Sequence, residues 1–291
     1  MELAQLIVLV LKASIILIVL SLGLKATVGD ATYLFRRPGL LLRSLLAMQV
    51  IMPLLAAALA AAFDLKAPVK AALLLLSVAP VPPVLPNKQV KAGGSKSYIY
   101  GLLVAASLLA VGLVPLMVRL LGLLFNRETY IAPATVALIV LINILVPLAV
   151  GIVVRRLAPA LAERAAPIIS GLGNVLMIAA VIPVLVTAWP AIASLVGDGT
   201  LLAIAAFVVS GLAVGHLLGG PEEDDRAVLA LATATRHPGI AIAIAGANLA
   251  GNKLVPAAIL LSLLVNALLS IPYLAWVQRR HAGDTGAAAA K

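Results

Sequence analysis

Apolar runs of about twenty residues recur from one end of this chain to the other, at 4–24, 40–62, 70–87, 97–124, 131–154, 167–189, 200–219, 227–249 and 254–277. Roughly 20 apolar residues are what a helix needs to cross the hydrocarbon of a bilayer. No interval between the runs is long enough for a soluble domain. Inside lipid every backbone N–H and C=O must be satisfied internally, which leaves helices or a closed barrel. The short-period alternation of a barrel strand is missing. An all-α membrane protein of about nine transmembrane helices is therefore expected, as one polytopic domain. The composition agrees, since charged residues are 11% of the 291 and soluble domains carry about a quarter.

The same composition excludes several kinds of chemistry. The chain has no cysteine, which rules out disulfides, thiolate metal sites and cysteine nucleophiles. His216, His237 and His281 lack metal-ligand spacing, and no paired acids or nucleophile motif lies within an apolar run. No enzyme activity, metal or cofactor is expected. A net charge of +10 would suggest nucleic acid in a soluble protein, but here it reflects basic cytoplasmic loops. The expected partners are the bilayer and a small solute, with no nucleic acid.

With nine crossings the termini face opposite sides. The C-terminal side holds Lys25, Arg36, Arg37, Arg43, Lys91, Lys96, Arg155, Arg156, Arg164, Arg226, Arg279, Arg280 and Lys291, against Lys66, Lys70, Arg119, Arg127 and Lys253 on the other. The positive-inside bias puts the C-terminus in the cytoplasm and the N-terminus outside, with a bacterial inner membrane as the expected location. The acidic run 222–225 then falls in a solvated inner loop. Glu2 stands where a signal peptide would have a basic leader, so the first run is expected to be a retained helix. Residues 278–291 form a tail, unstructured over 282–291.

Two runs contain backbone that a continuous helix does not tolerate. The third reads SVAPVPPVLPNKQVKAGGS over 77–95, with Pro80, Pro82, Pro83 and Pro86 followed by Asn87, Lys88 and Gln89. Proline lacks an amide hydrogen and clashes with the preceding turn. The eighth breaks at TRHPG, 235–239. Segments six to nine repeat the order of segments one to four, with segment five as an extra helix that reverses the direction of the second copy. Interrupted helices in corresponding places point to an inverted-repeat transporter whose broken helices cross near the midplane. The first repeat covers about 4–124 and the second about 131–277.

The run SLGLKATVGDATYLFRRPGLLLRSLLAMQVIMPLLAAALA, 21–60, resembles the bile acid:sodium symporter family in its Gly-Leu turn, its basic-Pro helix start and its Gln before Met-Pro. Pro80, Ala92 and Gly94 are similar to that family's first broken helix, and Pro238-Gly239-Ile240-Ala241 to its second. The resemblance spans roughly residues 4–277 and implies a nine-helix version of the family's plan. It also implies a much altered sodium site. The family's Asn falls on Pro86 with Asn87 beside it, and Leu85 replaces a Ser. Ser107 is what survives of several hydroxyls. The sodium-binding Glu falls on Ala232 and a Gln on Arg236, while Met48 aligns with another Gln and Gln49 stands alongside. A carboxylate is lost, and Lys88 and Arg236 are gained.

A basic residue at mid-membrane costs about 2.5–3.5 kcal/mol on insertion scales, and every acid of the chain lies in a loop, at a segment end or in the tail. Lys88 and Arg236 are therefore expected to be fixed positive charges that hold a small organic anion, Arg236 through parallel hydrogen bonds to a carboxylate. Thr233, Thr235, Asn87, Gln89 and Asn266 would add neutral polar contacts. Sodium coupling is not expected to survive intact, and His237 is the candidate if protons (H+) replace sodium (Na+) as the coupling ion. Lys12 is expected to snorkel or to sit in a polar seam, with lining of the pathway as the alternative. Asn143 and Asn174 suit interhelical bonding, and Trp189 and Trp276 suit interface anchoring. The functional expectation is a secondary transporter of a small organic anion. The alternatives are a proton- or sodium-coupled efflux carrier of the same superfamily and a membrane receptor or sensor that binds without transport.

Overall fold

The computed structural model describes residues 3–125 and 128–289, with side chains over 5–125 and 128–280. Glu2, Arg127 and Lys291, assigned above to loops and tail, lie outside the described residues. The elements run α1 (Leu3–Gly23), α2 (Val28–Thr32), a 3-10 turn (Leu34–Arg36), α3 (Pro38–Leu45), a π-helical turn (Leu46–Ile51), α4 (Met52–Ala62), α5 (Ala67–Val78), α6 (Leu85–Lys91) and α7 (Lys96–Leu124). They continue with α8 (Pro133–Val140), a second π-helical turn (Leu141–Leu145), α9 (Val146–Leu157), α10 (Pro159–Ser194), α11 (Thr200–Leu218), α12 (Glu223–Ala234), α13 (Pro238–Asn248) and α14 (Leu254–Ala289). There is no strand among the described residues, and the protein is an all-α membrane protein.

Eight stretches among the described residues are long and apolar enough to cross a membrane. The expected count of nine differs at the third segment, where α5 is only 12 residues long. Prolines from position 80 onward stop it early, and six residues out of helix separate it from α6. The C-terminal helix is longer than expected. It runs to Ala289, through most of the segment expected to be unstructured, because the alanines at 287–289 extend a helix without losing side-chain freedom.

The two π-helical turns have a common cause. Pro53 and Pro147 each follow one by a single residue. The amide just ahead of each proline bonds five residues back, Met52 to the Ala47 carbonyl and Val146 to Leu141. The widened turn makes room for a proline ring, and it leaves a carbonyl without its usual donor.

Glycines set how closely the helices approach. On α11 and at its C-cap, Gly211, Gly215 and Gly219 recur at every fourth position and face Ala234, Ala230 and Arg226 of α12. A Cβ on Gly211 would come within 2.9 Å of the Ala234 Cα and within 3.2 Å of the Met52 side chain. This ladder holds α11 and α12 antiparallel in backbone contact, as small residues do in lipid. It also fixes the end of α12 at Ala234. Elsewhere, α1 crosses α9 with Gly23 against Gly151 and crosses α10 with Ile18 over Gly173. Helix α10 also packs against α14, and Lys66 Nζ, in the α4–α5 connection, donates to the Ser194 carbonyl at the end of α10 at 2.7 Å.

At the other end of α1, Thr27 and Asp30 form a reciprocal cap on α2, and Ser97 Oγ donates to Asp30 at 2.5 Å. Burial alone would raise the Asp30 pKa. Hydrogen bonds from Ser97 and Thr27 and the charge of Arg155 outweigh it and hold the carboxyl below its ordinary value.

The ladder makes a direct prediction. Gly215→Leu places a side chain inside the Ala230 backbone, and it should lower stability in detergent by about 3 kcal/mol. Gly112→Leu on α7, where a Cβ meets nothing within 4 Å, should change the melting temperature little. Equal melting temperatures for the two variants would contradict the packing.

Candidate functional site

Helix α5 ends at Val78, and Ala79 turns into extended backbone at φ −70° and ψ 146°. The donors that would continue a helix past Ala79 belong to Pro82 and Pro83, which have no N–H. Helix α12 ends at Ala234, and Thr235–His237 are out of helix before Pro238 opens α13. Proline is favoured at a first helical position because its missing N–H would be unpaired there anyway. His237 caps that helix, with Nδ1 accepting the Ile240 N–H at 3.4 Å. The two interruptions touch: the His237 N–H donates to the Pro80 carbonyl at 2.8 Å.

Arg236 sits at this meeting point, 2% exposed. Its Nη1 donates to the Ala79 carbonyl at 3.2 Å and its Nη2 to the Met48 carbonyl at 2.7 Å. Both acceptors are open for a reason written in the chain. Ala79 faces Pro82 and Pro83. Met48 faces Met52, whose N–H is engaged by Ala47, and Pro53, which has none. A buried carbonyl left unpaired costs about 1–3 kcal/mol, and a bond from a charged donor is worth about 1.5–3 kcal/mol. Two such bonds roughly offset the cost of placing a guanidinium at this depth. Arg236 Nε is buried with no hydrogen-bond partner among the described residues.

The other expected site residues divide into three groups. Thr235 and Asn266 belong to one chain of hydrogen bonds. Asn266 Nδ2 donates to Thr235 Oγ1 at 3.0 Å, and Ser270 Oγ donates to Asn266 Oδ1 at 3.0 Å. Thr233, Gln49 and Ser107 are buried and each keeps an oxygen unpaired among the described residues. Ala232 is fully buried and offers no side-chain ligand. The α6 residues are placed differently. Gln89 is buried and donates to the Val228 carbonyl at 2.8 Å, tying α6 to α12. Asn87 is half-buried and Lys88 is exposed. Lys88 is thus exposed where Arg236 is buried. Arg236 gives one N–H from each terminal nitrogen to a backbone carbonyl, two of its five donors.

His237 is buried at the start of α13. Its Nδ1 lone pair faces the Ile240 amide, so the neutral ring carries its proton on Nε2, which is buried without a partner among the described residues. Several contributors went unread in the sequence: the Met48 and Ala79 carbonyls, Ser270, and the glycine ladder of α11. The glycines had a signal, their spacing of four in an apolar run. The carbonyls had one too, a proline three to five residues downstream of each.

The profile of the Sodium Bile acid symporter family matches residues 13–195, more than half of the chain. No curated protein matches it. The chain belongs to the sodium bile acid symporter family. The matched span runs from α1 to the end of α10 and includes the first interruption, while Arg236 lies beyond it.

Removal of the guanidinium should be felt as two orphaned carbonyls. Arg236→Met is expected to lose about 2–5 kcal/mol of stability, with partial recovery of the melting temperature in millimolar guanidinium too dilute to denature. An unchanged melting temperature for Arg236→Met would mean that the two bonds do not hold the contact between the two interruptions.

Proposed function

We propose that this member of the sodium bile acid symporter family is a secondary carrier of a small organic anion, working by alternating access, with the Arg236 guanidinium as a built-in cation where a coupling ion would sit. The observation that carries it is the pair of bonds from Arg236 to the Met48 and Ala79 carbonyls. Backbone carbonyls released by interrupted helices are the ligands that transporters of this architecture offer to sodium. Here a tethered charge takes them. A sodium ion does not fit beside it, since the aligned carboxylate position is Ala232 and like charges repel at short range.

The chain is read as two inverted repeats, about 4–124 and 131–277, with its N-terminus outside and its C-terminus in the cytoplasm. Arg236 ties the π-helical turn before α4, the end of α5 and the end of α12 into one unit. The group made by α1, α8, α9 and α10 would move against that unit. A cation that cannot dissociate cannot draw on a sodium gradient, so the flux follows the gradient of the anion itself. Thr235 and Asn266, on the edge of the crossing, would meet the solute.

Uptake into proteoliposomes tests this reading. A panel of labelled small carboxylates should include one taken up equally well with sodium or with choline outside, and Arg236→Met should slow that uptake at least about tenfold. Uptake that requires sodium would overturn the proposal. Binding without uptake would turn the assignment to a receptor or sensor.

A further inference from the structure

A cavity separate from the interruptions lies where α1 ends against α9. It is open, about 440 Å³ in volume, and lined by residues 26–29 together with Ile152, Arg155 and Arg156. That volume is within the range of small-ligand sites, roughly 300–1,000 Å³. The close approach of Gly23 to Gly151 brings the two backbones together just before it. Beyond that contact α1 stops and the chain turns into α2, while α9 runs on to Leu157.

The charged lining is two guanidiniums. Arg155 Nη1 donates to the Lys25 carbonyl and, at 3.5 Å, to the Leu24 carbonyl, acceptors that the end of a helix leaves free. Its Nε and Nη2 have no partner among the described residues, and Arg156 makes no hydrogen bond or ion pair among them. Asp30 feels the charge of Arg155, but its carboxylate oxygens are held by Thr27 and Ser97. Unpaired guanidinium donors side by side suit the oxygens of a phosphate group.

Position says where that phosphate comes from. The apolar part of α1, Gln5–Gly23, has 19 residues and is about 28 Å long, close to the thickness of the hydrocarbon. The cavity begins three residues past its end, at the level of lipid headgroups. On α9, Val146, Val150, Val153 and Leu157 are exposed and fall on one stripe of the helix. At 100° per residue, Arg156 sits between that stripe and Ile152 in the cavity. An apolar track for an acyl chain therefore leads up to the guanidiniums.

We propose that this cavity is a headgroup site for an anionic membrane phospholipid, with the phosphate held by Arg155 and Arg156 and an acyl chain lying along Val150, Val153 and Leu157. Basic pockets between transmembrane helices hold anionic headgroups in this way. A lipid seated there braces the contact of α1 with α9, and the site stands whether or not the transport reading does.

Short-chain phosphatidylglycerol is titrated onto the purified full chain in a neutral detergent, and bound lipid is counted by native mass spectrometry. Phosphatidylcholine of the same chain length supplies a phosphate without net charge, and inorganic phosphate supplies one without chains. Phosphatidylglycerol should bind saturably and ahead of phosphatidylcholine. Arg156→Gln, which breaks no bond among the described residues, should weaken that binding about fivefold, and Arg155→Gln with Arg156→Gln about twentyfold. Arg43→Gln with Arg279→Gln removes the same charge from exposed arginines on other helices and should leave it unchanged. An equal loss in the two double variants would overturn the site, since a basic surface alone would explain it. Binding that Arg156→Gln does not weaken would overturn it too. Displacement of phosphatidylglycerol by equimolar inorganic phosphate would overturn the lipid assignment in favour of a soluble anion.

Discussion

A guanidinium placed between two backbone carbonyls is the contact on which this structure turns. Prolines make those carbonyls available: Pro53 opens Met48, and Pro82 with Pro83 opens Ala79. Arg236, itself in the second interruption, fills both. The backbone of His237 then closes the Pro80 carbonyl. Each interruption alone would leave polar backbone in a setting where an unpaired group costs several kcal/mol. Together they satisfy one another, and the charge makes the arrangement stiff.

The surroundings are built to bring these elements into reach. Because lipid gives helices no hydrophobic reason to associate, close approach depends on small residues. The ladder Gly211–Gly215–Gly219 lets α12 lie against α11, with Gly211 at Ala234 and the Met52 side chain against the same glycine. Gln89 on Val228 and Asn266 on Thr235 hold α6 and α14 to the same place. Gln49, Ser107 and Thr233 are buried, each with a side-chain oxygen left unpaired among the described residues.

Much of this was legible before any coordinates. Apolar run length gave the helices; the prolines from position 80 fall where α5 stops, and Pro238 falls at the start of α13. The number of full-length spans differed because α5 is too short by itself. Residue type alone identified Arg236, but not its partners, which are main-chain atoms 188 and 157 positions away. A side chain that could serve a solute was found serving the backbone. Lys88 looked equivalent to Arg236 by sequence proximity to a break, yet a helix of seven residues turns it outward.

The most direct measurement is thermal unfolding of the purified protein in detergent, with sodium titrated against choline at constant ionic strength. A ligand at a hundred times its dissociation constant stabilises by about 2.7 kcal/mol, a visible rise in melting temperature. With Arg236 as the resident cation, the sodium and choline curves should coincide. A saturable, sodium-specific rise would contradict the account, because it would place a working ion site in a crossing that the guanidinium is held to fill.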